Sequence, residues 1–173
     1  MSYAQRLSGG HPNSLGNTVE IVDEVLADQD RLEELFNCYW SDDEVVRLRV
    51  SNALKRIAKA EPTWLVPYLD RLLDDVSLID QASTKWTLSQ LFLTYTKDLS
   101  PEQRTKAVAI MQRNLEASND WIVLSQTMNT LGRWAKKDPR LREWLRPRLE
   151  ARLSDERKSV RGRADKILAS LTP

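Results

Sequence analysis

Long segments of the chain recur about 80 residues apart, so the fold is built from one repeated unit. The stretch SDDEVVRLRVSNALKRIAKAEP, residues 41–62, aligns with SNDWIVLSQTMNTLGRWAKKDP, residues 118–139, at a shift of 77. The stretch WLVPYLDRLLDD, which begins at Trp64, aligns with WLRPRLEARLSD, which begins at Trp144, at a shift of 80. A double unit of this length implies a single repeat of about 38–40 residues, which is enough for two helices.

Helical patterns fill the chain from residue 18 onward. Apolar residues recur three and four positions apart, as in Leu32, Leu35 and Phe36. Ser100 precedes Pro101 at the start of one run, and a first-turn proline after a serine cap is typical of a helix. Few residues that favour strands occur in alternating runs. The sequence therefore predicts about nine helices joined by short loops, without strands.

The helices follow a recognisable order within each repeat. A first helix carries an inner proline, a turn contains Asp, and a second helix opens with V-R and continues to A-L. This order resembles the HEAT-repeat (armadillo-like) family, in the form of a small bacterial-type HEAT-repeat domain protein. The resemblance implies an all-α fold, a right-handed α-solenoid or α-α superhelix of about four HEAT-like helix pairs with an N-terminal capping helix.

Domain boundaries follow from the same pattern. The first sixteen residues are rich in Gly, Ser, Asn and Pro, and they are predicted to form a flexible N-terminal arm or a loosely packed cap. Residues 17–173 are predicted to form a single HEAT-like repeat domain with one continuous core. Its repeats are expected at about 30–62, 63–100, 101–139 and 140–171.

Two stretches, VVRLRVSNAL from position 45 and SVRGRADKIL from position 159, share a V-R-x-R pattern at the start of a second helix. The first arginines, Arg47 and Arg161, are predicted to be structural. In the resembled family an arginine there commonly bonds an Asp of an adjacent repeat, and the candidates for that partner are Asp42, Asp43 and Asp155. The second arginines, Arg49 and Arg163, are predicted to point to a flank where a partner could lie.

One flank of the second helices is predicted to be the binding face, because 100° per residue places a set of polar side chains there together. We call this set the partner strip. It is partly basic and suited to a peptide or an acidic segment. Its residues are Arg49, Asn52, Arg56, Trp86, Ser89, Gln126, Asn129, Arg133, Arg163 and Lys166.

Catalytic and metal chemistry has no support in the sequence. Cys38 is the only cysteine and His11 the only histidine, so the chain offers neither an internal disulfide nor a zinc cluster. Cys38 is predicted to be buried and structural. Acidic pairs occur at helix junctions, where Asp caps the next helix. No phosphate-binding glycine loop or hydrolase motif is present. We predict no enzyme activity, no catalytic residues, no cofactor and no metal.

Charge is distributed unevenly along the chain. Residues 1–132 carry 13 basic and 19 acidic side chains, a net −6, while residues 133–173 carry 13 basic and 6 acidic ones, a net +7. A basic end can attract an anionic partner. The leading prediction is a non-enzymatic protein-interaction or scaffold module in the cytoplasm, which binds an acidic or extended protein segment and not a membrane.

Two alternatives stay open at this point. The first is nucleic-acid binding, since some DNA alkylation-repair glycosylases are built from HEAT-like repeats and hold DNA in a basic, tryptophan-bearing groove. Of the six tryptophans, Trp64, Trp134 and Trp144 are predicted to be core, and Trp86 is the candidate surface anchor. The second alternative is a small subunit that stacks on itself or on a larger solenoid; the sequence leaves the oligomeric state open.

Overall fold

The computed structural model describes residues 1–171, which form ten α-helices and no β-strand. The predicted all-helical fold is confirmed, and a short helix at the N-terminus is added to the predicted set. Within residues 1–171, no helix combines the length and the apolar content that crossing a membrane requires. The helices are α1 (Tyr3–Leu7), α2 (Thr18–Ala27), α3 (Leu32–Asn37), α4 (Glu44–Ala60), α5 (Leu69–Asp74), α6 (Ala82–Thr94), α7 (Pro101–Ala117), α8 (Trp121–Ala135), α9 (Pro139–Arg152) and α10 (Lys158–Leu171).

Side-chain caps explain where the long helices begin. The Asp43 carboxylate accepts a hydrogen bond from the Val45 backbone N–H at 2.8 Å, and Asp120 accepts two such bonds at the start of α8. Before α7, Ser100 and Gln103 form a reciprocal capping box, and Pro101 occupies the first turn. Each cap satisfies backbone N–H groups that the first helical turn leaves without partners.

The first helices of the two N-terminal pairs are shorter than the sequence predicts. The stretch 29–40 forms the 3-10 turn Gln29–Arg31, then α3, then the 3-10 turn Cys38–Trp40. The stretch 62–75 begins as the 3-10 helix Pro62–Tyr68 and becomes α-helical only at α5. Pro67 lies inside that 3-10 segment, whereas its counterpart Pro147 lies inside the regular helix α9. A proline removes one helical hydrogen bond in either setting.

The chain divides into two compact units, Met1–Thr87 and Leu88–Pro173, and the division falls inside α6. The second unit is described through Leu171. The sequence predicted a single domain over 17–173, and the last two residues of that range, 172 and 173, lie outside the described residues. The first unit includes the N-terminal segment that was predicted to stand apart from the domain.

In the first unit, α4 packs against α1, α2 and α3. Its side chains Val50, Leu54 and Ile57 are fully buried, as the apolar spacing along α4 requires. The N-terminal segment contributes to this core, since Tyr3 and Leu7 are only 2% and 0% exposed. The start of residues 1–16 therefore packs on the core of the first unit, as the predicted alternative of a cap implies. Although this segment is rich in Gly and Ser, its two apolar residues Tyr3 and Leu7 hold α1 against the core.

In the second unit, α8 packs against α7, α9 and α10. The contact between α8 and α10 is very close at Gly132, where a Cβ atom would lie 2.5 Å from Cγ2 of Ile167. That distance is shorter than van der Waals contact allows. Because Ile167 branches at its Cβ atom, its Cγ2 atom has little freedom to move aside. Glycine at this position lets the two helices approach each other.

We predict that Gly132→Ala lowers the free energy of unfolding by about 1–3 kcal/mol, the usual cost of overpacking a core. Gly162→Ala is the matched control, because Gly162 lies in the same packed pair, on α10, with nothing within 4 Å of an added Cβ. This control is expected to stabilise the protein by about 0.5–1 kcal/mol through higher helix propensity.

Urea denaturation of the two variants measures both changes. Adding Ile167→Ala to the Gly132→Ala variant is expected to cost less than the sum of the two single changes, because the crowded atom is gone. Equal effects of the two glycine substitutions would contradict the close contact.

Candidate functional site

The structure buries the first residue of the partner strip. The Arg49 side chain is only 2% exposed, and its guanidinium donates hydrogen bonds to four backbone carbonyls of the N-terminal segment. The acceptors are Leu7 at 2.6 Å, Gly9 at 2.7 Å, Ser14 at 3.1 Å and His11 at 3.2 Å. The prediction that Arg49 faces a partner is wrong, because the chain itself occupies this side chain.

Glycines allow the N-terminal segment to wrap around Arg49. Gly9, Gly10 and Gly16 all have positive φ angles, which residues with a Cβ atom rarely adopt. At Gly16 an added Cβ would lie 3.0 Å from Cζ of Arg49. The glycines that suggested a flexible arm therefore serve a specific turn around one cation.

Ser89 is the second partner-strip residue that the structure removes from the surface. It is 0% exposed, and its hydroxyl lies 3.1 Å from the hydroxyl of Thr127. Its backbone carbonyl accepts a hydrogen bond of 2.7 Å from the hydroxyl of Thr130. The prediction that Ser89 is a contact residue for a partner is wrong. A serine tolerates burial here because neighbouring hydroxyls satisfy it.

The other partner-strip residues of the first unit remain partly or fully accessible. Arg56 is exposed, and its Nε donates to the side-chain oxygen of half-buried Asn52 at 2.7 Å. Trp86 is half-buried, so it offers only part of its ring as the predicted surface anchor. In the second unit, Gln126 is also half-buried.

Four partner-strip residues of the second unit line one cavity between α8 and α10. We call this cavity of about 280 Å³ the α8–α10 pocket. Its lining residues occupy positions i, i+3, i+4 and i+7 on each helix, which puts each set on one helix face. They are Asn129, Gly132, Arg133 and Lys136 from α8 and the residue after it, and Arg163, Lys166, Ile167 and Ser170 from α10.

The α8–α10 pocket is cationic. Arg133, Lys136 and Lys166 are exposed, Arg163 is half-buried, and none of the eight lining residues is acidic. Within residues 1–171, no carboxylate lies within ion-pair distance of any of these four cations. The sequence had identified three of them, and it missed Lys136. The spacing from Arg133 supplies the signal, because Lys136 follows three positions later on the same face.

Neutral groups hold the Arg163 guanidinium. Its Nε donates to the Ser125 hydroxyl at 3.2 Å, and its Nη1 donates to Oδ1 of Asn129 at 3.4 Å. An arginine can only donate, so the Asn129 amide must turn its oxygen toward Arg163. The amide NH₂ of Asn129 and the Nη2 group of Arg163 have no acceptor among residues 1–171. The pocket thus presents unused donors.

The first arginines of the V-R-x-R pairs have the predicted structural role with different partners. Arg47 donates to the Ser41 carbonyl at 2.6 Å and to the Gln81 side chain at 2.7 Å. Arg161 donates to the carbonyls of Asp155 and Glu156 at 2.7 and 2.8 Å. Both arginines therefore fasten the turn before their helix through backbone oxygens, and not through a carboxylate.

The candidate carboxylates for Arg47 and Arg161 have other roles. Asp43 caps α4, and Asp42 is exposed. Asp155 accepts hydrogen bonds from the side chain and backbone N–H of Arg157, and these bonds hold the pKa of the Asp155 carboxyl well below its usual range. The Arg157 guanidinium also reaches the side chain of Asn119 at 3.0 Å. Asp155 thus organises the turn that leads into α10.

None of the six tryptophans is a lining residue of the α8–α10 pocket. Trp134 is buried as predicted, donates from Nε1 to the Thr96 hydroxyl at 2.9 Å, and carries Arg104 over its ring. Trp64 and Trp144, also predicted to be core, are only half-buried. The most exposed tryptophans are Trp40 and Trp121, at 47% and 50%, and the sequence had not singled them out.

Cys38 is buried, as predicted. Burial raises the pKa of its thiol to about 11, so the reactive thiolate is scarce at neutral pH. The thiol donates to the Glu34 carbonyl at 3.3 Å. Within residues 1–171, no three His, Cys, Asp or Glu side chains form a group that could hold a metal ion.

No protein-family model matches the chain, and no curated protein is similar to it in sequence. The likeness to HEAT repeats therefore depends on the sequence pattern of the helix pairs.

We predict that Arg49→Lys lowers the free energy of unfolding by about 2 kcal/mol or more. A lysine ammonium has three donors and cannot reproduce the planar fork that reaches four carbonyls, and each bond to a charged group contributes about 1.5–3 kcal/mol. Arg56→Lys is the matched control. Its side chain is exposed, so a change within about 0.5 kcal/mol is expected.

Chemical denaturation gives the two free energies, and limited proteolysis checks the cause. Arg49→Lys is expected to make the segment around residues 9–16 more susceptible to cleavage, while Arg56→Lys leaves it unchanged. A stable Arg49→Lys variant with a protected N-terminal segment would contradict the anchoring role.

Proposed function

We propose that the chain is a non-enzymatic interaction module that binds an acidic segment of a partner protein in the α8–α10 pocket. The proposal includes a right-handed α-solenoid of HEAT-like helix pairs and a cytoplasmic location. Sequence segments that repeat at shifts of 77 and 80 support the solenoid. A chain with one cysteine cannot form an internal disulfide, which is compatible with the cytoplasmic location. We expect the chain to be related to the HEAT-repeat family.

The observation that carries the proposal is a set of four cations around one cavity without a carboxylate among the lining residues. Several other arginines of the second unit have acidic or carbonyl partners. Arg148 pairs with Glu116 at 2.7 Å, and Arg146 donates to the carbonyl of Leu171. Within residues 1–171, none of the four cations of the pocket has a carboxylate at ion-pair distance, and an acidic segment would supply one.

Nucleic-acid binding is the second candidate, and the net +7 of residues 133–173 favours it. Proteins that bind single strands combine a basic groove with aromatic rings on which bases stack. The α8–α10 pocket has the basic charge but no aromatic lining residue. An acidic protein segment needs only the charge, so the lining supports it better.

A defined acidic peptide tests the proposal. We predict that a fluorescein-labelled peptide of alternating Glu and Gly binds the protein, and that the matched Lys and Gly peptide does not. The double change Arg133→Glu with Lys166→Glu should raise the Kd for the acidic peptide at least about tenfold, a loss of about 1.4 kcal/mol. Fluorescence anisotropy measures both affinities.

The matched control changes the charge equally outside the pocket. Lys137→Glu with Arg140→Glu alters two exposed cations that do not line the cavity, and Arg140 lies in the first turn of α9, where an acid is favourable. This control should keep its affinity within about twofold apart from general screening. Equal losses in the two variants would show attraction by net charge alone and overturn the site.

Labelled single-stranded DNA separates the two candidate functions. Binding to phosphates predicts an affinity that falls steeply as salt rises. If DNA binds more tightly than the acidic peptide and the pocket variant abolishes that binding, the nucleic-acid function replaces the proposed one.

A further inference from the structure

We propose that the α8–α10 pocket recognises a phosphoryl group on a side chain of the partner segment. This inference rests on the proposed function and names the chemical group that the pocket reads. Four features of the pocket point to it: its charge, its donors, its size and the state of the equivalent arginine in the first unit.

Charge is the first feature. A carboxylate brings one negative charge, whereas a phosphoserine brings about −1.5 to −2 at neutral pH. Arg133, Lys136, Arg163 and Lys166 together supply four positive charges to one cavity. The negative ends of helices α8 and α10 lie near Lys136 and Ser170 and stabilise these cations only in part. A dianion balances the cluster better than a single carboxylate does.

Donor capacity is the second feature. The accessible polar groups of the lining are almost all donors: two guanidinium groups, two ammonium groups and the Asn129 amide NH₂. The Ser170 hydroxyl donates to the Ile167 carbonyl at 2.7 Å. A dianionic phosphoryl group presents three oxygens that only accept, and arginine forks bind such oxygens in pairs. The donor set therefore complements a phosphoryl group more fully than the two oxygens of a carboxylate.

Size is the third feature. The cavity of about 280 Å³ is compact, and Gly132 and Ile167 are its apolar lining residues. These two residues meet between the helices, and the cations of α8 and α10 line the same cavity. A compact, highly charged group such as a phosphoryl group fits a cavity of this size.

The equivalent arginine is the fourth feature. Arg49 and Arg163 hold the same place in the two V-R-x-R stretches. Around Arg49, the chain supplies four carbonyl oxygens, so this arginine is satisfied by acceptors at 2.6–3.2 Å. Around Arg163, residues 1–171 supply two neutral side-chain oxygens and leave Nη2 without an acceptor. Oxygen acceptors from a bound ligand would supply the hydrogen-bond partner that Nη2 of Arg163 lacks.

Three labelled peptides of one Gly- and Asp-rich sequence test the inference. They differ only in the central residue, which is serine, glutamate or phosphoserine. At physiological salt, fluorescence anisotropy is expected to show the phosphoserine peptide binding at least about tenfold more tightly than the glutamate peptide. The serine peptide is expected to bind most weakly.

Two variants locate the effect. Arg163→Gln with Lys166→Gln is expected to remove the preference for phosphoserine over glutamate. Lys137→Gln with Lys158→Gln removes the same charge from exposed positions outside the pocket and should retain the preference. Equal melting temperatures by circular dichroism establish that both variants are folded. Loss of the preference in both, or in neither, would overturn the assignment to this pocket.

Inorganic phosphate distinguishes a free anion from a phosphorylated segment. If inorganic phosphate displaces the phosphoserine peptide at equal concentration, the site binds free phosphate, and the inference about a partner segment is wrong. If glutamate and phosphoserine peptides bind equally and both depend on Arg163 and Lys166, the phosphoryl preference is wrong while the proposed function stands. If the phosphoserine peptide binds more weakly than the glutamate peptide, the inference is also wrong.

Discussion

At Gly132 the backbone of α8 comes so near to α10 that a β carbon would lie 2.5 Å from Cγ2 of Ile167. This contact decides how the second unit presents its charges. Side chains on the neighbouring positions of both helices converge over the same small cavity because the two axes are close. The absence of a side chain at Gly132 therefore allows the close packing of α8 and α10, and this packing forms the cationic cavity. The pocket is a consequence of how the pair of second helices packs.

The two V-R-x-R stretches show how one structural position can serve different ends. In both, the first arginine fastens the preceding turn by donating to backbone carbonyls, through Arg47 in one and Arg161 in the other. The second arginine projects to the same flank in both, but its surroundings differ. The N-terminal segment closes over Arg49 with four carbonyls, while Arg163 faces the α8–α10 pocket. The repeated sequence places the second arginine on the same side of its helix in both stretches. Whether that arginine is accessible depends on the chain segment packed beside it.

Sequence periodicity predicts the helices well because each must bury an apolar stripe, and the caps at Asp43, Ser100 and Asp120 mark their starts. It also brings together Asn129, Arg133, Arg163 and Lys166, which share a face and line one cavity. It fails at Arg49 and Ser89, which are polar yet buried. Their burial depends on hydrogen-bonding partners that lie 35 to 42 positions away along the sequence, and helical spacing alone does not reveal such partners. Composition misleads in the N-terminal segment, where glycine provides positive φ angles and not freedom.

Four like charges around one cavity carry an energetic cost. Each cation repels the others, and no carboxylate among residues 1–171 lies within ion-pair distance of them. The helix C-termini and the oxygens of Ser125 and Asn129 compensate for part of the cost. Alternating positive and negative side chains on the same helix faces would have avoided this repulsion. The ion pair of Arg148 and Glu116 is an example of such an arrangement in the second unit. An arrangement that lowers stability without helping the fold is typical of a binding site, because the unmet interactions are those that a ligand completes.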